Sequence, residues 1–279
     1  MTSNYNDQDL EILIATVNRN ALDFLIPMFP FSHFSNFSIL IVNQTSKDKI
    51  LVSDVPSVRV INSFEKGLSK SRNLAIRNAS KKIALITDDD VIFHPGFDKK
   101  ITTAFNAIED AVITFNHQRI GLLKPQNTSL VNYKHNFKTI WDVCSIEIAF
   151  KTEMVREKQL FFNEDFGLGS HFETAEELLF LRKALQLKIP SSYHPAVIVS
   201  HPLLSSGEDQ GSNKLVFARA ALSYKLRKRL TYIWLPKYLW FLYRYKFITK
   251  NQFLSKFKTG LAGIKKFKQL QQENNRKSL

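Results

Sequence analysis

The sequence predicts an α/β fold on a mostly parallel sheet. Three observations predict it: apolar runs of strand length, helical patterns between them, and polar clusters where three of the runs end. Strands that are apolar throughout belong in a sheet covered on both faces. Alternation of strand and helix marks crossover connections.

Glu11 to Val17 (EILIATV) reads as the first strand and opens onto Asn18-Arg19. Phe37 to Val42 (FSILIV) is a second, ending at Asn43-Gln44-Thr45, and Ser57 to Ile61 is a third. Leu68 to Ala79 has helical spacing, with Leu68, Ala75, Ile76 and Ala79 apolar among basic and polar residues. Lys82 to Thr87 is a fourth strand and runs into Asp88-Asp89-Asp90. Phe97 to Ile108 is a helix, and Ala111 to Phe115 a strand. Gln118 to Thr139 is loop-like, and Trp141 to Phe150 reads as a strand at the sheet edge. A helix over Ala175 to Leu187 and a strand over Tyr193 to Ser200, ending at His201-Pro202, complete the pattern. In open α/β sheets ligands bind beyond the carboxyl ends of the strands. Polar clusters at three such ends therefore point to one site.

Charge divides the chain. Its net charge is +14, yet residues 212–279 hold 17 Lys/Arg and one acid, Glu273, whereas residues 1–211 hold 22 basic and 24 acidic residues. This asymmetry predicts a near-neutral domain over 1–211 and a basic helical region over 212–279. One cysteine, Cys144, leaves no partner for an internal disulfide and fits a reducing compartment. The N-terminal stretch lacks the basic start and apolar core of a signal peptide, which reads as a cytoplasmic protein.

Three adjacent aspartates repel one another unless a positive charge relieves them. A polar turn after the strand is one reading. The other is a divalent-metal site, since carboxylate oxygens suit Mg2+ or Mn2+ and phosphate oxygens complete such shells. Asp88 and Asp90, two apart, share a side if the chain there is extended. Arg72 and Asn73, early in the preceding helix, are placed to meet an anion.

The run GLSKSRNLAIRNASKKIALITDDDVIFHPGF, Gly67 to Phe97, resembles the central signature of family 2 glycosyltransferases of the GT-A fold. ILIATVNR resembles their first strand, with Ala15 where proline is common. ILIVNQTS resembles the second, with Asn43 where aspartate is common. The segment FGLGSHFETAEELLFLRKALQLKIPSSYHPAVIVSHP resembles their acceptor side, and the similarity spans about residues 10–202. The resemblance implies an inverting transferase that moves a sugar from a UDP- or dTDP-type donor to a glycan or lipid-linked hydroxyl in surface polysaccharide synthesis. It implies that Thr16, Asn18, Arg19, Asn43, Arg72, Asn73, Asp88 and Asp89 border the donor. Asp90, with Asp88 and His201, would hold Mn2+ or Mg2+. Glu177 or Glu176 would be the base, with Asp165 a more remote third. Thr174 to Glu177 also fits a capping box, Thr at the N-cap and Glu at N3, which would occupy the Glu177 carboxylate. The departures at Ala15, Asn43 and Glu177 leave open a nucleotide-sugar-binding protein without catalysis.

Residues 213–232 read as a basic amphipathic helix, followed by YIWLPKYLWFLYRYKF and a second basic helix over 251–270. The aromatic stretch is too interrupted to span a bilayer. Aromatics among Lys and Arg suit packing on the catalytic domain or an anionic membrane surface, and peripheral attachment to the inner face of the membrane is the expectation. Cations and aromatics also coincide in nucleic-acid binders, but no nucleic-acid partner is expected.

Overall fold

The structure is a computed structural model that describes residues 4–121, 127–201 and 210–277. The chain divides into two compact units, one of residues 1–164 and 176–203, the other of residues 165–175 and 204–279. The segment 165–175 thus groups with the C-terminal helices.

The first unit holds a nine-stranded sheet. Its strands are β1 (Leu10–Val17), β2 (Ser38–Gln44), β3 (Val58–Ser63), β4 (Ile83–Asp88), β5 (Ile92–Phe93), β6 (Val112–Arg119), β7 (Tyr133–Lys134), β8 (Ile148–Lys151) and β9 (Ser191–His201). Its helices are α1 (Leu25–Met28), α2 (Leu68–Asn78), α3 (Phe97–Ala107), α4 (Thr152–Glu157) and α5 (Glu176–Gln186). The order is β3-β2-β1-β4-β8-β6-β9-β5, with β7 paired to β9. β1 pairs in parallel with β2 and β4, and β2 with β3. Strand order reverses between β1 and β4, the switch point at which sheets of this kind bind ligands. Ile12, Ile14, Ile39, Ile41, Ile83 and Leu85 are all but inaccessible, as their unbroken apolar runs require.

One expected strand is misplaced by the sequence reading. The stretch from Trp141 to Phe150 does not lie at the sheet edge. A 3-10 turn, Ser145–Glu147, leads into β8, which lies between β4 and β6 and is antiparallel to both. Its apolar run is short because only Ile148, Ala149 and Phe150 are fully covered.

The second unit contains α6 (Asn213–Arg227), α7 (Thr231–Arg244) and α8 (Phe253–Lys277). The expected helix 213–232 stops at Arg227, since Lys228 takes φ 52°, a left-handed value that ends a helix. Val216, Ala220, Leu235, Leu239, Leu242 and Ile264 form the core of this unit. Gly263 lets α8 approach α6 closely: a Cβ there would stand 2.2 Å from the Phe217 carbonyl oxygen. Phe172 of the 165–175 segment stacks on Phe217 and tilts against Phe267. No described helix is long and apolar enough to cross a membrane.

Candidate functional site

Helix α2 turns an unusual stripe inward. Ser69, Arg72, Asn73 and Ile76 are buried at the i, i+3, i+4, i+7 spacing of one helix face, and three of the four are polar. Burying polar groups is costly unless each finds a partner, so the stripe must meet partners. Asn73 does so through its amide, which donates to the Phe162 carbonyl and to Glu164 Oε1 and accepts from the Phe162 N–H. It fastens the chain after α4.

Arg72 is the centre of the site. It is 2% exposed and bonded to three side chains. Nη2 donates to Asp88 Oδ1 at 2.7 Å and to Ser145 Oγ at 2.8 Å, and Nη1 donates to Glu176 Oε1 at 3.0 Å. The Phe162 ring lies beneath the guanidinium at 5.5 Å. Burial works against its charge, but Asp88 and Glu176 more than offset that and hold its pKa above the ordinary value. A buried guanidinium thus joins the end of β4 to the start of α5.

The repulsion among the three aspartates is relieved within the protein. Strand β4 ends at Asp88, and Asp89 and Asp90 form a turn, so the extended geometry that would point Asp88 and Asp90 the same way is not present. Each carboxylate instead has its own partner. Asp88 takes Arg72. Asp89 Oδ2 accepts from Thr16 Oγ1 at 2.6 Å and from Arg19 Nε and Nη2 at 2.9 and 2.7 Å. Asp90 Oδ1 lies 3.4 Å from His201 Nε2, and that contact holds the Asp90 carboxyl below the usual range. Two arginines and a histidine thus stand against the three carboxylates. Pro202 lies outside the described residues.

The remaining donor-side candidates differ in how they meet this cluster. Asn43 is inaccessible. Its amide nitrogen donates to the Arg19 carbonyl at 2.9 Å and to Asn62 Oδ1 at 3.0 Å, while its oxygen accepts from the Arg19 N–H. It braces the loop after β1 from within. Asn18 takes φ 55°, and its N–H bonds the Gln44 carbonyl. That left-handed residue, a conformation asparagine tolerates, turns the chain so that Arg19 reaches Asp89.

Glu176 and Glu177 open α5. Ala175 just before them has φ 61°, a strained value for a residue with a Cβ. Because the helix begins at Glu176, Glu177 is its second residue and the expected N-cap-to-N3 spacing from Thr174 is not met. The two acids then diverge in role. Glu176 is ion-paired to Arg72. Glu177 is raised to about 8, first by burial and then by the neighbouring Glu176 charge. Asp165 belongs to the second unit, where its charge supports Lys225.

The sequence reading missed Ser145 and a buried pair behind His201. His117 Nδ1 and Glu147 Oε1 are 2.8 Å apart, both nearly inaccessible, and the His117 and His201 rings meet edge to face at 6.5 Å. Glu147 also accepts from the Cys144 N–H, and burial raises its pKa. The sequence reading ended this strand at Phe115 and took Gln118 onward as loop, whereas β6 runs on to Arg119 and carries His117 inward. Among the described residues no three His, Cys, Asp or Glu side chains converge as a ready-made metal cage.

Residues 3–163 match the profile of Glycosyl transferase family 2, more than half of the chain. The chain belongs to glycosyltransferase family 2. An uncharacterized glycosyltransferase of Haemophilus influenzae is 25% identical over 190 residues, which cover 63% of this chain and 62% of that protein. The chain therefore spans somewhat less than two thirds of that relative's length. Among solved structures, S. aureus TarS 1-349 in complex with UDP-GlcNAc matches with a TM-score of 0.55 at 12% identity, over 93% of this chain and 91% of that one. The UDP complex of the same protein matches with a TM-score of 0.52 at 15% identity, over 89% and 79%. Such likeness establishes the shared GT-A fold of this family 2 member.

Proposed function

We propose that the chain transfers a sugar, with inversion, from a nucleoside-diphosphate donor to a hydroxyl of a glycan or lipid-linked acceptor. The observation that carries this reading is the divergence of the two acids at the start of α5. Arg72 pairs with Glu176, while burial, and then the neighbouring Glu176 charge, raise the affinity of Glu177 for a proton. A general base needs a pKa near the working pH, and Glu177 has one.

The acceptor O–H gives its proton to Glu177, its oxygen forms a bond to the anomeric carbon, and the bond from that carbon to the diphosphate oxygen breaks. Attack comes from the face opposite the nucleoside diphosphate. Arg72, itself bonded to Ser145, fixes Asp88, and Arg19 and Thr16 fix Asp89, so both carboxylates are oriented before a donor arrives. They are suited to donor hydroxyls. The TarS complexes carry UDP-GlcNAc and UDP, which favours a UDP-type carrier here too, with a dTDP type as the second choice.

The fold family implies a divalent ion, and the residues fit one. Asp90 is half exposed, and its oxygen lies 3.4 Å from a histidine nitrogen. Mg2+ and Mn2+ take one or two protein carboxylates and complete their shells with phosphate and water. Asp90 and His201 would hold the ion, and it would stabilise charge on the departing diphosphate. A lipid-linked acceptor would bring the enzyme to a bilayer, and the cationic residues 212–279 suit an anionic membrane surface at the inner face. Synthesis of surface polysaccharide is the setting this reading supports.

The test is release of free nucleoside diphosphate from UDP-sugars with Mn2+. Wild type should release it slowly without acceptor and faster with acceptor, and E177Q should lose the acceptor-dependent part. No release from any UDP- or dTDP-sugar would leave a binding protein instead.

A further inference from the structure

Helix α7 has two apolar faces. Thr231, Leu235, Tyr238, Leu239 and Leu242 are buried on one side, against the other helices of its unit. Directly opposite, Ile233, Lys237, Trp240 and Arg244 recur at i, i+4, i+7 and i+11, a single line along the helix. Ile233 is 62% exposed and Trp240 59%. Phe241 flanks the line, and its ring meets those of Tyr245 and Phe247 at 4.7 and 6.5 Å. Trp240 meets Tyr243 at 5.6 Å. Leu230, just before the helix, is 64% exposed.

Contiguous exposed apolar surface marks an interaction site. The neighbouring charge selects among occupants. Residues 212–279 contain 17 Lys/Arg and a single acid, Glu273. A second copy of the chain docked symmetrically would set this patch against itself, Lys237 and Arg244 facing like charges with no acid in the patch to neutralise them. A single-stranded nucleic acid would use the cations and the rings, but the exposed aliphatic Leu230 and Ile233 offer it no stacking surface. An anionic lipid surface uses every part: aliphatic groups enter the acyl boundary, Trp and Tyr sit at headgroup level, and Lys and Arg extend their charged ends to the phosphates.

We infer that the outward face of α7, centred on Ile233, Lys237, Trp240 and Arg244, is an interfacial anchor that lies in the headgroup layer of an anionic bilayer without crossing it. This deepens the membrane part of the proposed function and is independent of the donor chemistry. Its failure can be told from that of the enzyme reading, because binding is read without substrate and transfer without membrane.

The full-length protein is sedimented with vesicles of phosphatidylcholine alone or with phosphatidylglycerol at 30 mol %, in moderate and in high salt. Wild type should bind the anionic vesicles at least tenfold more tightly than the neutral ones, with binding weakened by salt. W240S/F241S and, separately, K237E/R244E should each bind anionic vesicles at least tenfold more weakly. All of these positions are exposed, so the variants should keep the wild-type circular dichroism and UDP-sugar turnover in solution. Lipids brominated near the headgroup should quench wild-type tryptophan fluorescence more than that of W240F, in which Trp141 and Trp234 remain. The anchor is refuted if wild type ignores anionic vesicles, if both double variants bind like wild type, or if W240F is quenched as strongly. It is equally refuted if the patch instead mediates self-association that W240S/F241S abolishes, or holds single-stranded RNA that anionic vesicles do not displace.

Discussion

At the carboxyl end of the sheet every carboxylate of the acidic triplet has a nitrogen partner within reach: Arg72 for Asp88, Arg19 for Asp89, His201 for Asp90. Across α6, α7 and α8 the opposite holds, for cations crowd a surface almost without acids. The first arrangement is closed. Its charges are paired in a partly dry setting, where a hydrogen-bonded ion is worth more and an orphaned one costs more. The second is open, and most of its charges have no acid beside them in the chain's own sequence. The difference teaches how to read charge in a sequence: clustered acids at a strand end and clustered bases on a helix look alike as strings, and burial separates machinery from contact surface.

The comparison breaks most dramatically at Arg72. R72M would leave Asp88 and Glu176 without their common partner, and removing one member of a buried pair costs about 3–5 kcal/mol. Urea unfolding should show that loss, whereas K237A on the open surface should shift stability by less than about 0.5 kcal/mol. Equal effects would dissolve the distinction.

Next in size is the proposed base, Glu177. E177Q should lower turnover by roughly a hundredfold or more, as expected for a lost general base, with an unchanged unfolding curve at pH 5. E176Q should lose stability as well, since it unpairs Arg72. The pH dependence carries a sign. Glu177 holds its proton up to about pH 8 when folded, against about 4.3 in an unfolded chain. The native state binds the extra proton between those values, so this group lets stability fall as pH rises through the window and adds no slope above it. Turnover should rise towards pH 8 as the base ionises. E177Q should abolish both trends, read from denaturation midpoints and from kcat/KM profiles.

Smaller still is Asp90. D90A should leave the fold intact, because Asp90 is half exposed, yet abolish activation by Mn2+ in the diphosphate-release assay. Retained activation would move the ion elsewhere.

Much of this was legible in the sequence. The apolar runs of β1, β2 and β4 ended where polar residues began, and that boundary is physical, since a buried strand cannot carry unpaired polar groups. A site beyond the carboxyl ends of the strands followed from the alternation of strand and helix. What the string could not carry were partners distant along it. Arg72 and Glu176 are 104 residues apart, and Thr16 and Asp89 are 73 apart. The local expectation of a capping box at Thr174 failed because Ala175 takes a left-handed backbone that residue type does not announce. Strand β8 was mislaid because four residues flanked by a turn and a helix give too short a pattern to fix a position.

The most direct test of the account is the thermal stability of the protein with a panel of nucleotide sugars, with and without Mn2+, for wild type and D90N. A ligand that binds the folded state raises its stability. The account predicts that at least one UDP- or dTDP-sugar raises the wild-type Tm, further with Mn2+, and that D90N loses the metal-dependent part. A wild-type Tm that no nucleotide sugar moves, with or without the ion, would contradict it.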